Sequence, residues 1–274
     1  MTAAPRQSAP LSDDVLDLRG QPALVLADPA ETPERQFAAM LLADLRRGSG
    51  ATVTWLNHYS AMQSLHGGVQ LDRFDYLGLD GILLCHLLKS EAPRTSADLV
   101  LPLLLEHPVR LRVALIGSTQ ETLHAVAAKI EAQYGHHVVL LRDGYAGLST
   151  PAELRDELRA ARVQVAVVGL GAPLQDHYAL ALRSPGVVVA TCGGWLDQFA
   201  GDTYYPAWAY PLRLNWLVRL AREPRRLWRR YTVDAVRALR SRTALRQYVT
   251  GVGRRPMTAV IFQPGTATAD APAA

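Results

Sequence analysis

The sequence predicts an α/β fold, a doubly wound and mostly parallel sheet, followed by a basic helical appendage. Three observations predict it. Short apolar runs alternate with helix-length segments between about residues 21 and 204. Most of those runs are continuously apolar rather than alternating, the pattern of parallel strands buried on both faces. Beyond about residue 205 the alternation gives way to an Arg- and Trp-rich helical pattern.

The strand candidates, in order, are ALVLA (23–27), ATVTWL (51–56), FDYLGL (74–79), LRVALIG (111–117), HVVLL (137–141), VQVAVVGL (163–170) and GVVVATC (186–192). Helix-length segments fill the gaps at 33–46, 58–65, 97–106, 119–134, 151–161 and 173–183. The segment STPAELRDEL (149–158) carries a start signal. Ser149 or Thr150 caps it, Pro151 suits the first turn, and Glu153 closes a capping box. The polar stretch 1–20 and the tail 264–274 lack apolar patterning and are expected to be disordered. That leaves a sheet domain over 21–204 and an appendage over 205–263.

The chain has 274 residues, 49% of them apolar, so it can bury a sizeable core. The net charge is only +4, but it is unevenly spread. Residues 201–274 hold 13 Arg, no Lys and 4 acidic residues, a local balance of +9. The first 200 residues hold 16 basic and 21 acidic residues, a balance of −5. This asymmetry points to an anionic partner for the C-terminal part. Cys85 and Cys192 sit in apolar contexts and read as free thiols of a reducing compartment. The N-terminus has no apolar core of a signal peptide, and no stretch of about 18 apolar residues occurs. Together these predict a cytoplasmic protein.

In a doubly wound sheet, ligands sit beyond the carboxyl ends of the strands. The residues there are Asn57, Asp80-Gly81, Gly117-Ser118, Gly169-Leu170-Gly171 and Gly193-Gly194. IGSTQE (116–121) and VGLGAPLQ (168–175) are glycine turns between strand and helix. Such turns either offer N–H groups to an anion or simply allow a tight bend. Neither is a full GxGxxG, so the dinucleotide fingerprint is absent. Asp80 at a strand end serves as a base, a ribose ligand or a helix cap. The histidines are scattered without metal spacing, and CxxC, GxSxG and GxxxxGK[ST] are all missing. No metal and no cofactor is expected.

Residues 212–231, LRLNWLVRLAREPRRLWRRY, contain seven Arg, two Trp and one acidic residue. Projected as a helix, Leu220, Leu227, Trp228 and Tyr231 form one stripe. Arg219, Arg222, Arg225, Arg226, Arg229 and Arg230 form the opposite one. Pro224 implies a break, with a second helix opening at that residue. Such a segment is a solvated helix face, an interfacial membrane helix or a phosphate clamp. Nucleic-acid binding is not expected, because no DNA-binding motif accompanies the charge.

Taken together, the motifs resemble the WecG/TagA/CpsF glycosyltransferases, glycosyltransferase family 26, over about residues 50–231. They are DG (80–81), R-x-x-x-DL (94–99), LIG (115–117), DGY (143–145), VGLGAPLQD (168–176), GGWLDQFAG (193–201), P-x-W (206–208) and NWLVRLAREPRRLWRRY (215–231). The resemblance implies a Rossmann-like domain whose appendage completes the site near the membrane. It implies inverting, metal-independent transfer of a sugar from a UDP donor to a polyprenyl-diphosphate-linked sugar, in surface or exopolysaccharide synthesis. The enzyme would lie on the inner face of the cell membrane, on an anionic surface, and a homo-oligomer is compatible with this. By the same resemblance Asp80 is the catalytic base, with Asn57 and Arg94 beside it. Arg219, Arg226 and Arg229 clamp phosphate. Gly117, Ser118, Gly144, Tyr145, Gly169, Gly171, Pro173, Gln175, Gly194 and Asp197 complete the candidate substrate site.

The chain departs from the family pattern in four places, one of them a shorter span from Asp80 to Arg94. Thr54-Trp55-Leu56-Asn57 stands where Thr-Pro-Asn is common, Ser96-Ala97-Asp98 replaces Gly-Ser-Asp, and Tyr204-Tyr205-Pro206 replaces basic-Arg-Ala-Pro. These leave the donor open between glucose and N-acetylmannosamine. They also keep open a non-catalytic nucleotide- or lipid-binding protein of the same fold.

Overall fold

The computed structural model describes residues 32–90, 93–201, 218, 220–221, 224–251 and 260–261. The strand expected at 23–27 and both expected disordered ends lie outside the described residues, as does the boundary near 204–205.

One seven-stranded sheet organises the chain, and every strand pairing in it is parallel. Its strands are β1 (Ala51–Leu56), β2 (Tyr76–Leu79), β3 (Arg112–Gly117), β4 (His137–Arg142), β5 (Val165–Gly169), β6 (Val188–Thr191) and β7 (Val260–Ile261). Their order across the sheet is β4-β3-β5-β6-β1-β2-β7. The helices are α1 (Pro33–Arg47), α2 (His58–His66), α3 (Ile82–Leu88), α4 (Ala97–Leu105), α5 (Gln120–Tyr134), α6 (Pro151–Ala160), α7 (Leu174–Ala181) and α8 (Trp195–Ala200). Three more follow: α9 (Pro224–Tyr231), α10 (Val233–Arg240) and α11 (Arg242–Thr250).

Burial explains why the strands read as unbroken apolar runs. Every residue of β1 and β6 is buried, and so is nearly all of β3 and β5, whereas edge strand β4 is half-buried throughout. Alternate residues of one strand feed two cores. Val113 and Leu115 pack with α1, α4, α5 and α8 on one face. Ala114 and Ile116 pack with α2, α3, α6 and α7 on the other. That second core also takes Ala238 of α10 and Leu245 and Val249 of α11, all fully buried. The Tyr248 hydroxyl donates to the Val69 carbonyl at 2.7 Å, tying α11 to the loop after α2. The C-terminal helices are therefore packed on the α2–α3 face rather than standing apart.

Local signals set the helix limits. Thr150 is the cap of α6 and shares a reciprocal capping box with Glu153, with Pro151 in the first turn. Pro224 opens α9, as its missing N–H favours. Two short helices, α3 and α8, were not expected. At seven and six residues, neither is long enough to show a helical period. The basic appendage region also contributes β7, a two-residue edge strand beside β2 where only helix was expected.

Candidate active site

The carboxyl ends of β1, β2, β3, β5 and β6 all open on one side of the sheet. There the chain leaves a cleft of about 570 Å³, within the usual range for a small-molecule site. Asn57, Asp80, Ser118, Gly169, Gly171, Gln175, Gly194 and Asp197 line it from the sheet side, and Tyr145 from the β4–α6 loop. Leu227, Arg229, Arg230, Asp234 and Arg237 close it from α9 and α10.

Asp80 and Asn57 are neighbours because β1 and β2 pair in register, Leu56 with Leu79, so the next residue of each strand emerges side by side. The Asp80 N–H donates to the Leu56 carbonyl at 2.7 Å, which fixes the loop at that point. The capping position of α3 falls one residue later, on Gly81. Asn57 has a structural duty. Its side-chain oxygen accepts the N–H groups of Tyr59 and Ser60, each at 3.0 Å, and closes a capping box with Ser60. Only its amide NH₂ remains to face a ligand. Arg94 forms a bridge to Leu79 at the same end of the sheet, but it is not among the cleft-lining residues.

Below the cleft lies a buried polar floor. The Asp176 carboxylate, fully buried in α7, accepts hydroxyl bonds from Thr54 of β1 at 2.7 Å and Ser64 of α2 at 2.8 Å. The Thr191 hydroxyl of β6 donates to that of Thr54 at 2.9 Å. Burial raises the Asp176 pKa, against the pull of the two hydroxyls. This network joins two strands and two helices directly beneath Gln175, the preceding residue of α7. Gln175 is 4% exposed, and its side-chain oxygen has no hydrogen-bond partner among the described residues. Pro173 opens the same turn after a cis peptide bond and lies behind the cleft wall, against Gly67.

The opposite wall is built at the β3–β5 crossing. Gly117 has φ +113°, and a Cβ there would come within 2.3 Å of the Gly169 carbonyl, so no side chain fits. Gly144 packs on this turn, its N–H donating to the Ser118 carbonyl at 2.9 Å. The Ser118 hydroxyl donates to Asp197 of α8, joining two of the expected substrate residues. Asp143 turns the loop that carries Tyr145. Its carboxylate accepts the N–H groups of Ala146 and Tyr145, and these bonds lower its pKa. Tyr145 itself is 81% exposed.

Cationic charge comes from the C-terminal helices. Arg229 is exposed at the cleft. The Arg230 guanidinium lies over the Tyr59 ring, 4.8 Å from its centre. The Arg230 carbonyl meets His58 Nε2 at 3.1 Å, so that nitrogen carries the proton. Burial lowers the His58 pKa and the Arg230 charge adds to this, while Asp234 and Asp80 oppose it. Leu227 is buried, but Trp228 is 54% exposed rather than packed beside it. Arg219 and the side chain of Arg226 lie outside the described residues.

Some of the cleft escaped the sequence reading. Thr191 sits inside an apolar strand and gives no site signal, and Trp55 enters only within the altered stretch 54–57, not as a site residue. Arg230 falls on the guanidinium stripe but not among the residues assigned to the phosphate clamp, and Asp234 and Arg237 follow the end of the motif at 231. A signal for Trp55 was present nonetheless, since no other strand of the sheet contains a tryptophan. Among the described residues, no group of three or more His, Cys, Asp or Glu is arranged to hold a metal ion. No helix among them is long and apolar enough to cross a membrane.

The sequence profile of the glycosyl transferase WecG/TagA/CpsF family matches residues 29–251. The chain belongs to that family.

Proposed function

We propose that this family member is an inverting, metal-independent hexosyltransferase. It moves a hexose or N-acetylhexosamine from a UDP-sugar to a polyprenyl-diphosphate-linked saccharide. One observation carries the reading: a rim carboxylate, Asp80, and arginines of the C-terminal helices line the same cleft. The acceptor hydroxyl oxygen attacks the anomeric carbon as Asp80 takes its proton. The bond from that carbon to the diphosphate oxygen breaks, and its electron pair leaves with UDP. A single displacement inverts the anomeric centre. Arg229, Arg230 and Arg237 face the charge that grows on the departing diphosphate, so they favour the transition state over the ground state. Arg219 and Arg226 extend this clamp in the proposal.

Three exposed apolar side chains on α9 and α10, Trp228, Val236 and Leu239, stand among arginines. That composition suits an interfacial contact with an anionic membrane surface, where a lipid-linked acceptor would be found.

The test is UDP release from a panel of UDP-sugars, with membranes or a synthetic polyprenyl-diphosphate-sugar, in EDTA. Acceptor-dependent release is expected with one donor of the panel. UDP binding without transfer to any acceptor would replace this reading with a non-catalytic binding protein.

A further inference from the structure

The C-terminal helices bring one negative charge into a cleft that they otherwise line with positive charge. Asp234 is the single acidic residue of α9, α10 and α11, and it lines the cleft beside Arg229, Arg230 and Arg237. Its side chain is 15% exposed, so the carboxylate is recessed in the cleft wall but not sealed from it. It also stands at the Asp80 end of the cleft. Burial lowers the His58 pKa while Asp234 and Asp80 both pull it up, so both carboxylates lie near that ring.

Local structure does not account for a carboxylate on this side of α10. Asp234 lies in the first turn, where negative charge suits the helix dipole, but any side of that turn would serve equally. Among the described residues its carboxylate accepts one hydrogen bond, from Arg237 Nη1 at 3.4 Å. The Arg237 side chain is 56% exposed, and so open a pair contributes little to stability. A carboxylate has about four acceptor positions, so most of its capacity is left for a ligand. Like charge disfavours a phosphate there, whereas the hydroxyl groups of a neutral sugar are donors that a carboxylate accepts. The helix also has two sides. At about 3.6 residues per turn, Asp234 and Arg237 share the side that lines the cleft, and Val236 and Leu239 share the other, where both are exposed. A lipid-linked acceptor that meets the apolar side therefore has Asp234 across the same helix, next to the proposed base.

We infer that Asp234 is a specificity-determining residue whose carboxylate accepts hydrogen bonds from hydroxyl groups of the acceptor sugar, beside the hydroxyl that Asp80 deprotonates. This rests on the transferase reading above. It assigns Asp234 to the sugar and leaves the neighbouring arginines to the phosphates.

The experiment compares wild type with Asp234→Ala, Asp234→Asn and Arg237→Ala, after melting temperatures have established which variants fold. Calorimetry gives the affinity for a short synthetic polyprenyl diphosphate, bare or carrying a hexose or an N-acetylhexosamine. Steady-state kinetics gives KM for donor and acceptor. Wild type is expected to prefer one sugar-bearing lipid over the bare one. Asp234→Ala should reduce that preference about 10–100-fold, the worth of a hydrogen bond to a charged group, and raise acceptor KM by the same factor. Affinity for the bare lipid should not fall, and donor KM should hold. Asp234→Asn keeps one acceptor oxygen and should lose less, and it carries the test if Asp234→Ala does not fold. Arg237→Ala should weaken bare and sugar-bearing lipid alike. The inference is overturned if the preference survives in both Asp234 variants, if wild type has none, or if donor KM alone rises. It is also overturned if Arg237→Ala erases the preference as fully as Asp234→Ala, because Asp234 would then act only through Arg237. If wild type turns over no donor, the transferase reading fails. The inference then stands only if Asp234→Ala still removes a measured preference for the sugar-bearing lipid.

Discussion

The two sides of the cleft are held in place by different physics. On the sheet side, each functional group hangs from buried structure. Asp80 and Asn57 follow paired strands, and Asn57 is locked by its own helix cap. Gln175 sits on the Asp176 network, which touches four elements. On the helical side, α9 is anchored by Leu227, by the His58–Arg230 carbonyl bond and by the Arg230–Tyr59 contact. Tyr231 is half-buried against His58, while Pro224, Arg225, Trp228 and Arg229 are exposed. The lesson is a division of labour. In the proposed reaction the sheet rim holds the groups whose chemistry demands fixed geometry. In that reading the arginine helix supplies long-reaching charge, which tolerates looser placement.

Substitutions on the two sides should therefore fail differently. The largest effect is expected at Asp80. Asp80→Asn should lower kcat by about 10²–10⁴-fold, the usual worth of a general base, with UDP affinity and melting temperature unchanged. Stopped or steady-state turnover of the identified donor measures this, and full activity in the variant would remove Asp80 from its role. Next comes Asp176. Asp176→Ala leaves the Thr54 and Ser64 hydroxyls buried without their acceptor, which should cost about 2–4 kcal/mol in denaturant unfolding. Asp176→Asn keeps an acceptor oxygen and should cost clearly less. If both variants melt like wild type, the network contributes nothing to stability.

On the helical side, Arg229→Ala and Arg230→Ala should each reduce kcat/KM by about 10–100-fold while leaving global stability nearly intact. Arg230→Ala should be the worse of the two, because it also removes the contact with Tyr59. A large fall in melting temperature for Arg229→Ala would break the contrast between a structural rim and a functional helix.

The smallest effect concerns the junction between the two sides. His58, His107 and His136 all have pKa values held below the ordinary 6.5, chiefly by burial. Between their folded pKa values and 6.5 the folded chain binds fewer protons than the unfolded chain. The stability they contribute is thus present above 6.5 and is lost as pH falls through that window. Asp176, with its pKa raised above 3.8, works in the opposite direction: it favours the fold as pH falls. His58→Gln can still donate to the Arg230 carbonyl but no longer titrates. Melting curves from pH 7.5 to 5 should therefore show a shallower decline in that variant than in wild type.

Much of this molecule was determined by the sequence alone. Unbroken apolar runs at 113–117 and 165–169 specify strands buried on both faces, because only a doubly covered sheet hides both sides of a strand. Thr150, Pro151 and Glu153 start α6 by local hydrogen bonding, and Pro224 starts α9 by its fixed φ and missing N–H. Such signals act within a few residues and need no tertiary context. The position of Asp80, Ser118 and Gly194 at strand ends follows from the same local pattern, and that is why the cleft side of the sheet was legible.

Tertiary structure decided what those residues meet. Which strand lies beside β1 is set by long-range packing, and with it the approach of Trp55 to Gly78 and of Thr54 to Asp176, 122 residues apart. Helical projection placed Leu227 and Trp228 on one stripe, yet Leu227 is buried and Trp228 is 54% exposed. The reversal has a plain cause. Periodicity reports which residues share a face, whereas burial depends on what the rest of the chain brings to that face.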